Sequence, residues 1–119
     1  MKDMPSELPG LERIKERFLS LLAERQTTIA HHALAAWESD SAAAQSSNLQ
    51  GAQNVLHQIA GSAGSLGFVE LGEAARSCEG AIITFLDSND GAQGSLPHSL
   101  FEELDDFVCM SQTLLAQRS

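Results

Sequence analysis

His57 stands four residues before Gly61 and seven before Gly64, in the stretch Leu56-His57-Gln58-Ile59-Ala60-Gly61-Ser62-Ala63-Gly64-Ser65-Leu66-Gly67. A neutral imidazole carries a lone pair on one ring nitrogen and a proton on the other, so it can act as a nucleophile near neutral pH. It needs an electrophile delivered to it. Around this histidine, Leu49, Ala52, Leu56, Ile59, Ala63 and Leu66 recur at alternating three- and four-residue steps, the apolar stripe of a bundled helix. At about 100° per residue, His57, Gly61 and Gly64 fall within roughly 40° of one another, on a face well away from that stripe. A glycine on an exposed helical face costs about 0.8–1 kcal/mol relative to alanine. What it provides is clearance, letting a partner's backbone or a bulky anionic group approach the helix beside the ring. Internal packing explains single glycines more often, but two of them beside His57 favour clearance.

No other arrangement in the chain promises chemistry. There is no glycine-rich phosphate loop, no Ser-His-acid or Cys-His spacing, and no Glu-x-x-His pair of the di-iron bundles. His31 and His32 are adjacent and hence about 100° apart on a helix, so their rings cannot both point at one metal. They read as surface or rim residues, as does His98 at a helix start with no partner in view. Cys78 and Cys109 sit at apolar-stripe positions, too far apart for a redox motif or a zinc site, and both are expected to be buried free thiols.

His57, Ile59, Gly61, Ser62, Ala63, Gly64 and Leu66-Gly67, followed by Leu71 and Glu79, resemble the signature of histidine-containing phosphotransfer (HPt) domains. The departure is Ala60, where that family usually carries a basic residue. The resemblance implies that His57 is a phosphoacceptor, taking a phosphoryl group from the aspartyl phosphate of a receiver domain and handing it to another receiver. It implies receiver domains of hybrid sensor kinases or response regulators as partners, docking over Gln53, Ala60, Gly61 and Gly64. No cofactor is expected on this chain; the metal ion and carboxylates that stabilise the transferring group belong to the receiver. The chain is then a phosphoryl carrier in a phosphorelay and not an autonomous enzyme. Two other readings stand beside it: an adaptor of the same fold that binds a receiver or kinase without accepting phosphate, and a haem- or metal-binding bundle with His57 as ligand. The last lacks a second ligand at helical spacing from His57.

Composition sets the frame. The 119 residues suit one domain, 1–119, with a single core and no staples. A formal charge of −9 argues against nucleic acid and anionic membrane as partners. Five of the seven basic residues lie in the first twenty-five positions, leaving only Arg76 and Arg118 beyond them. No basic patch can be assembled around His57 from its neighbours in sequence. With no signal-like apolar run and no stretch of about 18 apolar residues, a cytoplasmic protein is expected, and a monomer.

Four amphipathic segments must position the histidine. Residues 1–10, with two prolines and a glycine, read as a lead-in holding at most a short extra helix or turn. Leu11 to about Glu38 is one long helix whose apolar band runs through Leu11, Ile14, Phe18, Leu21, Leu22, Ile29, Ala33 and Trp37. Ser39 to Ser46 reads as a polar, alanine-rich link. Ser47-Asn48-Leu49-Gln50 then has the spacing of a capping box opening the His57 helix, which continues to about Ser65. Gly67 is placed to end it. Phe68, Leu71, Ala75, Cys78, Ile82 and Phe85 mark a third helix, and Asp87 to Ser95 a loop. Pro97 suits the first turn of a fourth helix carrying Leu100, Leu104, Phe107, Ser111 and Leu114. With no period-two strand, the expected fold is all-α, an antiparallel up-down four-helix bundle with its core over about 11–117. From Ser41 through Val69 there is no Asp, Glu, Lys or Arg, so the His57 face is expected to be neutral, with Gln50, Gln53 and Asn54 sharing it.

Overall fold

The computed structural model describes residues 9–89 and 96–117. They form four α-helices, α1 (Pro9–Glu38), α2 (Ala42–Ala63), α3 (Val69–Asn89) and α4 (His98–Ala116), with a single 3₁₀ turn (Gly64–Leu66) ending α2. Each helix packs against its two neighbours in an up-down ring: α1 on α2 and α4, α3 on α2 and α4. The expected all-α bundle is therefore the observed one. Its axis is filled by Leu22, Ile29, Leu49, Leu56, Ile59, Ile82, Leu104 and Phe107, all fully buried. Burying a side chain of this kind contributes about 1.5–3 kcal/mol, which is what holds four individually marginal helices together.

The ends of the elements follow from local chemistry. Ser41 caps α2, its hydroxyl accepting the Ala44 amide at 3.2 Å. This corrects the expected start at Ser47: residues 42–44 are alanines, the strongest helix formers, and they carry the helix back to the first serine able to cap it. Of the supposed link only residues 39–41 lie between helices; the rest is the first turn of α2. At the other end the Phe68 amide donates to the Ala63 carbonyl at 2.8 Å, and the Gly67 amide to Gly64 at 3.1 Å, the paired bonds of a Schellman stop. Gly67 has φ 95°, so it ends the helix as expected. Immediately beyond it Phe68 stacks on Phe18 of α1, ring centroids 5.2 Å apart, which ties the turn to the core. Likewise α3 runs on to Asn89, so the first three residues of the expected loop are helical; positions 90–95 lie outside the described residues, as do 1–8 of the lead-in. Pro97 is the N-cap of α4 and not its first-turn residue.

Three apolar residues, Ile14, Trp37 and Cys109, depart from the expected burial. Ile14 is 54 % exposed because α1 is longer than its neighbours. His32 of α1 bonds Asn48 of α2, and counting back along that antiparallel register puts Ile14 beyond Ala63, past the end of α2. Trp37 is 43 % exposed and lies on the rim, its ring 4.9 Å from Phe101 and 5.9 Å from His98. His98 thus has partners that local sequence did not show, including Glu102 one turn on at 3.5 Å. Cys109 is exposed, whereas Cys78 is buried. His32 is also more than a rim residue: its ring lies over Gly51, where a Cβ would come within 2.6 Å of Nε2. That close approach is why α2 carries a glycine against α1.

Two expectations follow. Gly67→Ala should destabilise the protein by about 1 kcal/mol, read as a lower denaturation midpoint with unchanged slope, because alanine is strained at positive φ. Burial, with Glu103 and Asp106 nearby, pushes the Cys78 thiol up to about 12 from an ordinary value of 9.0. In the native protein a thiol reagent should therefore label Cys109 quickly and Cys78 only on unfolding. Because the unfolded thiol loses its proton near pH 9 while the native one keeps it, stability should fall as pH rises from about 9 to 12, and Cys78→Ala should remove that part of the decline.

Candidate functional site

His57 projects from the C-terminal half of α2, its side chain 76 % exposed. The stripe that buries Leu56 and Ile59 on either side of it in sequence turns this position outward. Gly61 and Gly64 continue the same face, and a Cβ built at either would meet nothing within 4 Å. Both are exposed, so neither glycine serves packing inside the chain. The clearance read from the sequence is present beside the ring. Gln53, one turn before His57, is half-buried at the other end of this strip.

Ala60 is different. It is only 6 % exposed and belongs to the core, which corrects its expected place on the outer surface. Position 60 lies about 60° round the helix from His57, on the side that turns in towards the apolar stripe. A periodicity argument places a residue on a face but does not say how far the neighbouring helix covers that face.

The neighbour is α3, and it brings a charge that α2 lacks. Glu79 Oε2 lies 2.9 Å from His57 Nδ1, and its side chain is only 15 % exposed. The expected neutral surroundings of His57 are therefore neutral only along α2. An ionised carboxylate can only accept, so Nδ1 donates and the ring is held as the Nδ1–H tautomer. Nε2, across the ring, keeps its lone pair and has no hydrogen-bond partner among the described residues. With the imidazole side of the pair open to solvent, the bond contributes at most about 1 kcal/mol to stability, so its main effect is orientation. Glu79 was visible in the sequence as part of a family-like pattern, but its partner was not, since 22 residues separate the two.

The register that makes this contact is set about two turns further along. Gly72 of α3 is buried against α2, where an added Cβ would meet Ala63 Cβ and the Gly64 amide nitrogen at 3.4 Å. Ile83, 38 % exposed, follows Glu79 by one turn on the same edge and gives the face an apolar margin. Among the described residues no three His, Cys, Asp or Glu side chains converge to hold a metal ion, and no helix is long and apolar enough to cross a membrane.

The tautomer is checkable. Nitrogen-15 spectra should show His57 with a protonated Nδ1 and an unprotonated Nε2, and Glu79→Ala should shift the ring toward the Nε2–H form usual for a free imidazole. An unchanged tautomer in Glu79→Ala would show that the carboxylate does not orient the ring.

In comparison with known protein families, the family model described as the Hpt domain matches residues 13–111. No curated protein and no solved structure matches the chain.

Proposed function

We propose, for a chain that belongs to the Hpt domain family, that His57 is the phosphoacceptor of a phosphorelay, taking its phosphoryl group from the aspartyl phosphate of one receiver domain and passing it to another. Hpt domains carry phosphoryl groups in two-component systems and interact with receiver domains there. The observation that carries the assignment to His57 is the 2.9 Å bond from Nδ1 to Glu79 on a ring that is otherwise exposed.

In the forward step the Nε2 lone pair attacks phosphorus in line with the aspartyl oxygen. The N–P bond forms, the P–O bond breaks, and its electron pair returns to the receiver's carboxylate. The ring keeps its Nδ1 proton throughout, so the product is a phosphoimidazolium whose positive charge faces Glu79. The carboxylate therefore favours the charge that develops on the ring. Transfer to a second receiver reverses these bond changes. The metal ion belongs to the receiver, and this chain's own part is to hold the nucleophile at a fixed angle on a rigid helix and leave room around it. Gln53, Gly61 and Gly64 lie under the incoming receiver in this reading, with Ile83 as an apolar contact at the edge. Ala60 supports the helix from beneath. The monomer and the cytoplasmic setting belong to the same proposal.

Incubation with a labelled phospho-receiver tests it. Label should appear on the protein as an acid-labile, base-stable phosphoramidate, and His57→Gln should fold normally and take none. Replacing His31, His32 or His98 should leave acceptance intact. Label persisting in His57→Gln would move the site elsewhere. Gly64→Leu should fold at least as stably as wild type, because leucine is the better helix former and has open space there, yet lose transfer through blocked docking. Loss of stability with transfer retained would mean that the clearance has no role.

A further inference from the structure

The carboxylate that orients His57 also burdens the product. A phosphoryl group at neutral pH carries close to two negative charges, and Glu79 holds another on the far side of the same ring. Apart from the positive charge of the phosphorylated ring itself, nothing on α2 can offset them, since that helix has no Asp, Glu, Lys or Arg and Ala60 is buried. Among the described residues the lysines and arginines are Arg13, Lys15, Arg17 and Arg25, all on α1, and Arg76 on α3.

The position of Arg76 follows from two contacts on either side of it. Gly72 lies against Ala63 and Gly64, and Glu79 lies against His57. Between these fixed points the antiparallel register brings position 76 level with Ala60, one turn beyond His57 and about 4.5 Å along the axis. Positions 72, 76 and 79 span only about 60° around α3, so Arg76 stands on the same α2-facing edge as the two residues that make the contacts. It is exposed, and among the described residues it makes no hydrogen bond or ion pair. Glu73 and Glu79 flank it along its own helix, and α2 sets no charge opposite it.

We propose that Arg76 is the cation that receives the phosphoryl group on His57, its guanidinium donating to the phosphoryl oxygens from across the α2–α3 groove. Arginine suits this role because its planar fork pairs with two oxygens at once and stays charged at every relevant pH. The inference rests on His57 being the phosphoacceptor. It supplies from α3 the positive charge that Ala60 cannot supply from α2.

The test uses the full chain as wild type, Arg76→Ala and Arg76→Lys, with circular dichroism as the check on folding. Each is phosphorylated with phosphoramidate, a small-molecule donor, and the phosphorus-31 shift is followed against pH. Each is also equilibrated with one phospho-receiver at low and high salt. Arg76→Ala should raise the pH at which the phosphoryl group takes up its proton and lower the phosphorylated fraction at equilibrium about two- to fivefold, as expected for one surface charge pair. Arg76→Lys should recover part of both, and the difference should shrink at high salt. A merely structural role would not move the phosphorus titration. If Arg76→Ala matches wild type at low salt in both measurements while wild type is phosphorylated, the role of Arg76 is overturned and that of His57 stands. If wild type takes phosphate from neither donor, both fall.

Discussion

The contact between α2 and α3 is the constraint on which the rest depends. An imidazole on an isolated helix would rotate freely and divide its proton between two nitrogens. Here the ring is held by a carboxylate on the next helix, and that carboxylate is at the right level only because Gly72 lets α3 settle against Ala63 and Gly64. The Schellman stop at Gly67 reverses the chain into this register, and the stacking of Phe68 on Phe18 keeps it there. Core packing, helix ending and helix approach thus converge on one hydrogen bond. The bond itself adds little to stability; its geometry is a product of the fold.

What could be read from the sequence was what is local to one helix. The 3.6-residue period is enough to place His57, Gly61 and Gly64 on an outer face and to call for a bundle, because burial of the Leu56 and Ile59 stripe fixes the rotation of α2. Relations between helices were not legible in this way. Glu79 is 22 residues from His57, and its contact depends on a register that no single-helix pattern contains. Ala60 failed for the same reason, since its face is determined by α2 but its burial by the cover around it. Ile14 and Trp37 are apolar residues at helical spacing that end up exposed because a neighbour stops short or the position falls on a rim, and Cys109 is exposed because it lies off the buried stripe of α4. Ser47 loses to Ser41 as the cap through local competition, because the alanine run between them carries the helix back to the earlier serine.

The division of charge between the two helices has a physical logic. A helix meant to receive a protein surface carrying its own anionic group gains by having no fixed charge where the two backbones meet, because an unpaired charge trapped there would have to be desolvated. The uncharged run from Ser41 through Val69 satisfies that condition on α2. The charges that act on the ring and on what it carries must then come from the side. Glu79 enters along the edge of the site, mostly buried and already bonded, so it needs no further desolvation when a partner arrives. Arg76 stands one turn away on the same edge, still exposed.

Under the role proposed for His57, this arrangement also bears on direction. A carrier must hold its phosphoryl group well enough to survive diffusion between partners but not so well that release becomes slow. In that role Glu79 would favour the positive ring of a phosphorylated state, yet as an anion it would repel the group that the ring carries, so its net effect would be smaller than either part alone. A flexible surface arginine adds a contribution of similar size and opposite sign to that repulsion, and it is screened by salt. With both contributions limited to a few-fold, a chain acting in this role would strongly favour neither direction of transfer. The balance then rests with the receivers, whose own stabilisation of the aspartyl phosphate decides which way the group moves.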